Sequence, residues 1–187
     1  MSNLLAQWAT QVSEAELSTT IPRRWAHTQG VAGRAGELRS VVGADAELLI
    51  ASATLHDIGY APRLAITGFH PLDGARFLRD THKADERLVR LVANHSFALL
   101  EAEGRGLQQM LATEFPLLNE PLLVDALVYC DMTTTPDGAR TTAEERVAEI
   151  LGRYGDDSVV GRFIRLAAPE IFGAVGRVEA ALAAQPR

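Results

Sequence analysis

The sequence predicts an all-α protein, and three observations favour this fold class. Apolar residues recur every three or four positions in most segments, which is the period of an amphipathic helix. No segment combines strict apolar–polar alternation with the β-branched residues that are typical of strands. The stretch Leu48–Leu55 is apolar or small on nearly every side, as expected for a helix in the middle of a fold. We therefore expect a bundle with a core of about five helices and further helices at the termini.

Composition limits the classes of function. The 187 residues suit one domain, of which 47% are hydrophobic and 22% charged, as in ordinary globular proteins. The net charge is −6 and no dense Lys/Arg run is present, which argues against a nucleic-acid platform and against an anionic membrane surface. A single cysteine, Cys130, excludes a disulfide framework, and we interpret it as an inert core thiol. No signal peptide or membrane span is visible, so we expect a cytoplasmic protein without a membrane partner.

The first half of the chain predicts three helices. Trp8 and the N-terminal segment are interpreted as a docking helix. A long helix is expected over Thr20–Val42, with His27 on the edge of its apolar stripe. The central helix ends in His56-Asp57, and we expect Gly59 to close it. An ionised Asp next to an apolar helix is costly unless it is paired or binds a metal.

The second half predicts a further set of helices. In the next helix, His70 stands at the N-cap position, and Asp73 is interpreted as a first-turn helix charge. Segment Ser96–Gly106 is less periodic and is interpreted as a flap. The remaining predicted helices are Ala84–His95, Leu107–Glu114, Pro121–Asp131, one from the capping box Thr142/Glu145 to about Tyr154, and one from Ser158 that is kinked or broken at Pro169.

Several of these helices or helix ends carry a His or Asp on the predicted inward side. A lone inward His is usually a hydrogen-bonded core residue, but four of the five histidines follow this pattern together with two aspartates. Imidazole and carboxylate without thiolate favour Fe, Mn, Mg, Zn, Ni or Co over a soft copper or cluster site. The candidate metal ligands are His27, His56, Asp57, His70, His95 and Asp131.

The order His27, His56-Asp57, Asp131 resembles the metal-binding signature of the HD-domain superfamily of metal-dependent phosphohydrolases. The resemblance covers roughly Arg23 to Gly138, and its most specific part is Leu-His-Asp-Ile-Gly at 55–59. It implies an all-helical HD-type domain with a metal-binding core at about 20–140 and C-terminal helices at 142–185. It also implies one or two divalent metal ions, the first held by His27, His56, Asp57 and Asp131.

Two further segments are similar to the binuclear branch of that superfamily. The segment His-Pro-Leu-Asp-Gly-Ala at 70–75 resembles its His-x-x-x-Gly-Ala motif, and His95 resembles its later single histidine. This resemblance implies that Asp57 bridges two metals and that His70 and His95 hold the second. Two positions differ from the cyclic-dinucleotide phosphodiesterases of the HD-GYP type. Those enzymes usually carry Lys at the position of Tyr60 and a second adjacent His at the position of Ser96. These differences argue against cyclic-dinucleotide phosphodiesterase activity.

The resemblance implies hydrolysis of a small phosphate ester such as a nucleotide or another phosphometabolite, with Asp57 orienting the water or taking its proton. Arg63 is the first candidate to bind the substrate phosphate, because a guanidinium can hold phosphate oxygens bidentately, and a solvated loop arginine is the alternative. Arg34 is a weaker candidate with a surface charge as the alternative, and Tyr60 is expected either to cap the pocket or simply to pack. A di-iron oxygenase and a non-catalytic ligand sensor stay open as alternatives. A homodimer through the C-terminal helices is also left open.

Overall fold

The computed structural model describes residues 4–185, and the all-α prediction is confirmed over this range. It contains no β-strand there, and an isolated bridge joins Thr134 and Arg140. The α-helices are α1 (Leu4–Leu17), α2 (Pro22–Glu37), α3 (Arg39–Val42), α4 (Ala46–Leu55), α5 (His70–Asp80), α6 (Glu86–Asn94), α7 (Ala98–Gly104), α8 (Gln108–Glu114), α9 (Pro121–Met132), α10 (Ala143–Tyr154) and α11 (Val159–Ala183). Short 3₁₀ turns lie at Gly43–Asp45, Ile58–Tyr60 and His95–Phe97.

Helix α4 lies at the centre of the bundle. Helices α1, α2, α6 and α9 all pack against it. From Leu48 to Gly59 every residue except Ile50 is buried, which confirms the prediction of a helix without an exposed face. His56 and Asp57, which directly follow this helix, are therefore carried into the interior.

The N-terminal helices differ in one respect from the prediction. The helix expected over Thr20–Val42 is divided at Leu38 into α2 and the short α3, and it begins at Pro22. Helix α1 packs along α4, and the Trp8 ring contacts the edge of His82 with ring centroids 5.6 Å apart. The interpretation of the N-terminal segment as a docking helix is thus confirmed.

The segment Ser96–Gly106 is not an irregular flap. Most of it forms α7, whose Ala98 and Ala102 are buried and which packs against α8 and α11. Irregular backbone is found at Ser96 and Phe97, which both have positive φ, at 48° and 63°, and at the turn of Arg105 and Gly106 that follows α7. The left-handed pair separates α6 from α7.

The two C-terminal helices pack onto this core. The predicted capping box of Thr142 and Glu145 is present at the start of α10. Helix α11 continues through Pro169 without a break, so a broken helix is excluded there while a kink stays a prediction, and it packs along α9 and α10. Among the described residues, none of the helices is both long enough and apolar enough to cross a membrane.

Candidate metal centre

The six predicted metal ligands come from five separate parts of the fold and meet in one buried cluster. His27 lies on α2, His56 and Asp57 follow α4, and His70 is the first residue of α5. His95 follows α6, and Asp131 lies in the last turn of α9. Five of the six are at least nine-tenths buried, and His70 is only slightly more exposed. The structure therefore places in contact residues that are up to 104 positions apart in the chain.

A close backbone contact sets the position of His70 relative to Asp57. A Cβ atom on Gly59 would lie 2.0 Å from the carbonyl oxygen of His70 and 2.6 Å from the amide nitrogen of Gly74. The 3₁₀ turn after Asp57 can thus touch the first turn of α5 because Gly59 has no side chain. Gly59 was expected to close the central helix, but its function in the structure is this contact. It brings His70 Nε2 within 3.2 Å of Asp57 Oδ1.

Asp73 fixes the loop that leads into α5. Its buried carboxylate accepts hydrogen bonds from the backbone N–H groups of Ile66, Thr67 and Gly68, at 3.0–3.1 Å. The interpretation of Asp73 as a simple first-turn helix charge is therefore incomplete. Its bonds order the chain just before His70 and contribute to the placement of that imidazole.

Three of the histidines have a tautomer fixed by the backbone. Nδ1 of His27, His56 and His95 lies 2.9, 2.7 and 2.7 Å from the carbonyl oxygens of Thr135, Ala53 and Val92, respectively. A carbonyl oxygen can only accept, so each Nδ1 donates and each neutral ring presents an unprotonated Nε2 to the cluster. Histidines that bind metals are usually oriented in this way.

The arrangement of Nε2 atoms fits a cation. Nε2 of His56 is buried and has no hydrogen-bond partner. Nε2 of His70 and of His95 face each other at 3.2 Å, and Nε2 of His27 lies 3.2 Å from Oδ1 of Asp131. Lone pairs that converge on one another and on carboxylate oxygens repel unless a proton or a metal lies among them. The donor set therefore fits a divalent metal.

Asp57 connects two halves of the cluster. Its Oδ2 lies 3.3 Å from Nε2 of His56 and 3.7 Å from Nε2 of His27, and its Oδ1 lies 3.2 and 3.9 Å from Nε2 of His70 and His95. The groups that could hold an ion reflect this division: His27 with His56 and Asp57 on one side, Asp57 with His70 and His95 on the other. Asp131 forms a third such group with His56 and His95. The other carboxylate oxygen of Asp131, Oδ2, accepts a hydrogen bond from the Ser96 hydroxyl.

The charge states in the metal-free site follow from burial and neighbours. Burial opposes ionisation of Asp57, but the charges of Arg24 and His56 outweigh it, so its pKa lies well below the usual value. Burial also lowers the pKa of His56, but the Asp57 and Asp131 carboxylates raise it to about 9. Burial, together with the neighbouring His56 and His70, lowers the pKa of His95 to about 4. At neutral pH the site thus has an ionised Asp57 and a neutral His95, the forms that bind a metal, whereas His56 is protonated and must release its proton when a metal binds.

A cavity of about 260 Å³ opens beside the cluster. Asp57, His70, His95 and Asp131 form one side of it. Helices α10 and α11 supply an opposing set of largely apolar side chains, including Ile150, Tyr154, Phe163 and Ile164. Four guanidinium groups also line the cavity, those of Arg24, Arg105, Arg146 and Arg153.

Two of the three predicted substrate-binding residues lie elsewhere. Arg63 forms a two-nitrogen ion pair with Glu16, its side chain is 62% exposed, and it does not line the cavity. Arg34 donates to Tyr129 and Thr133 and also lies outside the cavity lining. Tyr60 does line the cavity, stacked on the His70 ring with centroids 3.9 Å apart. Its contact with substrate stays a prediction.

The arginine that reaches the cluster is Arg24, which the sequence analysis missed. Its Nη1 donates to Oδ2 of Asp57 at 2.6 Å, and its guanidinium lies over the Tyr60 ring. A signal was available, because Arg24 precedes His27 by three positions and so lies on the same helix face. Arg105, Arg146 and Arg153 were also missed, and they gave no comparable local signal.

Comparison with protein families matches residues 24–133 to the HD domain. The matched segment is more than half of the chain and contains all six residues of the cluster. Comparisons with curated proteins and with solved structures returned no match. HD domains bind divalent metals and belong mostly to metal-dependent hydrolases, which agrees with the donor set described above. The chain therefore belongs to the HD domain family.

Proposed function

We propose that this HD domain protein is a metal-dependent phosphohydrolase that cleaves a small phosphate ester with water, using two divalent ions. The observation that carries the proposal is the position of Asp57, whose two oxygens face two different sets of histidine Nε2 atoms. A carboxylate in this position can be shared by two ions. Two ions a few ångströms apart form a clamp suited to phosphoryl transfer.

The chain's own residues would divide the chemical work. His27, His56 and Asp131 would hold one ion, His70 and His95 the other, and Asp57 both. Bound divalent ions would supply water activated at neutral pH and would neutralise charge on the phosphoryl oxygens. The low pKa of Asp57 favours orientation of the water by this carboxylate over acceptance of its proton. Arg24, adjacent to Asp57, is placed to bind a phosphoryl oxygen.

The cavity favours an anionic substrate of modest size. Arg24, Arg105, Arg146 and Arg153 line it, although the whole chain carries a net charge of −6. Arg24 pairs with Asp57 and Arg105 with Glu101, whereas Arg146 and Arg153 share Glu149, so among these pairings only the one on α10 has more guanidinium groups than carboxylates. Arginine is well suited to bind phosphate because its planar fork matches two oxygens. The apolar side chains of α10 and α11 would contact the rest of the molecule. A nucleotide or another phosphometabolite matches this combination of charged and apolar walls.

The proposal is tested by metal content and turnover of the same preparation. Protein purified without chelators should contain nearly two divalent ions per chain and should hydrolyse members of a panel of phosphomonoesters and nucleotides. The Asp57→Ala variant should lose both properties, whereas Asp125→Ala, which removes a buried carboxylate paired with Arg177 outside the cluster, should keep both. Iron with oxygen consumption and no phosphatase turnover would contradict the proposal in favour of an oxygenase. Absence of metal would contradict it in favour of a ligand sensor.

A further inference from the structure

Part of the cavity wall lies outside the segment that matches the HD domain. The matched residues end at position 133, and α10 and α11, which follow it in sequence, contribute further residues to the cavity lining. These are Arg146, Ile150, Arg153, Tyr154, Val160, Phe163 and Ile164. The candidate metal ligands thus come from the matched segment, while these two helices contribute much of the cavity wall.

Arg146 is the unusual residue in this wall. Its side chain is only 6% exposed and lines the cavity, and its Nη1 donates to Glu149. Its Nε is buried without a hydrogen-bond partner. A buried donor that stays unpaired is destabilising, and more so when the group is charged. The bond to Glu149 uses Nη1, so among the described residues the edge formed by Nε and Nη2 has no hydrogen-bond acceptor.

The charge of this wall is not fully balanced by the neighbouring carboxylate. Glu149 also pairs with Arg153, whose Nε lies 3.2 Å from its Oε1. Two guanidinium groups that line the cavity therefore share one carboxylate, which leaves one positive charge in excess. A guanidinium with a free two-nitrogen edge is suited to a carboxylate or phosphate group.

Arg146 is separate from the cluster. Among residues 4–185 it makes no hydrogen bond or ion pair with any of the six candidate ligands, whereas Arg24 contacts Asp57 directly. We infer that Arg146 binds a second anionic group of the substrate, distinct from the phosphoryl group that reacts at the cluster. This inference rests on the proposed function for the identity of the first group. The substrate class it specifies is a phosphate ester that carries another phosphate or a carboxylate.

The test uses pairs of compounds that differ in the second anionic group. Ethyl phosphate is compared with 2-phosphoglycolate, and adenosine 5′-monophosphate with adenosine 3′,5′-bisphosphate. Binding to metal-loaded protein is measured by calorimetry, and kcat/KM is measured for every compound that turns over. We expect the wild type to prefer the second member of at least one pair by about 10- to 100-fold, the range for a hydrogen-bonded charge pair. Arg146→Gln should abolish this preference and leave the first member within about twofold of its wild-type affinity.

Two further variants keep the result interpretable. Removal of Arg146 leaves Glu149 paired with Arg153, so Arg146→Gln should fold; Arg146→Lys keeps the charge without the fork and should retain part of the preference. Arg165→Gln, on the exposed face of α11 and outside the cavity lining, should not change it. Equal losses for both members of a pair, or no preference in the wild type, would overturn the inference. Arg146-dependent binding without hydrolysis of any compound would preserve it and would contradict the proposed hydrolase instead.

Discussion

Nη1 of Arg24 lies 2.6 Å from Oδ2 of Asp57, the carboxylate oxygen that also faces His27 and His56. A guanidinium therefore neutralises this carboxylate in the metal-free protein. The Asp57 charge in turn outweighs the effect of burial and raises the pKa of Arg24 above its usual value. Arg24 thus makes it possible to fold the site before a metal arrives, because an unpaired buried carboxylate would be strongly destabilising.

Removal of Arg24 should destabilise the metal-free protein. In Arg24→Gln, Asp57 keeps its burial and loses its strongest partner, so we expect the free energy of unfolding in EDTA to fall by about 2–3 kcal/mol. The free energy of unfolding is measured by urea denaturation that is monitored by circular dichroism. Arg23→Gln is the matched control, since Arg23 pairs with the exposed Asp137 and its loss should change the free energy of unfolding much less. Equal losses of unfolding free energy in the two variants would show that the buried Arg24–Asp57 pair stabilises the protein no more than the exposed Arg23–Asp137 pair does.

Asp131 should be required for metal binding, whereas its neighbour Asp125 on the same helix should not. Both side chains are buried on α9, but Asp131 faces His27 and His56 while Asp125 pairs with Arg177. We expect Asp131→Asn to weaken binding of the first metal at least tenfold, because a charged ligand is replaced by a neutral one. Isothermal titration with Mn²⁺ or Zn²⁺ measures the effect. Retention of wild-type affinity in Asp131→Asn would remove this residue from the ligand set.

His70 should determine occupancy of the second metal position. The His70→Gln variant keeps His27, His56, Asp57 and Asp131, so elemental analysis should find about one ion per chain in place of about two. His82→Gln is the control, since the fifth histidine packs against Trp8 and Phe77 outside the cluster. Two retained ions in His70→Gln, or one ion in the wild type, would contradict a binuclear centre.

Because of the backbone contact at Gly59, we expect position 59 not to tolerate any side chain. In Gly59→Ala the new Cβ would lie 2.0 Å from the His70 carbonyl oxygen, so α5 must move away from the turn. We expect a loss of about 3 kcal/mol in the free energy of unfolding, together with weaker binding of the second metal. Gly33→Ala on α2 is the control, where no atom lies within 4 Å of the new Cβ and helix propensity should give a small gain. An unchanged free energy of unfolding in Gly59→Ala would show that the two backbone segments can move apart without destabilising the protein.

Local pattern was sufficient to predict most of the helices and, together with the resemblance to the HD-domain superfamily, the residues of the cluster. The apolar run before His56 indicated a buried helix, and the four inward histidines with two aspartates indicated one metal centre. These predictions depend on the periodicity of a helix and on which chemical groups need a partner in the interior. Both kinds of information lie within short segments of the sequence.

The arginines that line the cavity could not be predicted in the same way. Arg63 follows the His-Asp pair closely, but its side chain turns to Glu16, which is 47 positions away. Arg146 lies next to the predicted capping box, yet only the packing of α10 against the core places it in the cavity wall. The positions of such side chains depend on tertiary contacts, which cannot be inferred from spacing along the chain.

The contact between Gly59 and the first turn of α5 also has a consequence for divergence among related proteins. Because main-chain atoms hold both ends of the segment between these elements, the separation of Asp57 and His70 does not depend on the side chains at the exposed positions Pro62, Arg63, Ala65 and Ile66. Ile66 is 83% exposed. Relatives can therefore vary these positions while the cluster keeps its geometry, whereas the buried Ala61, Leu64 and Phe69 and the backbone that Asp73 binds at 66–68 limit change in the rest of the segment.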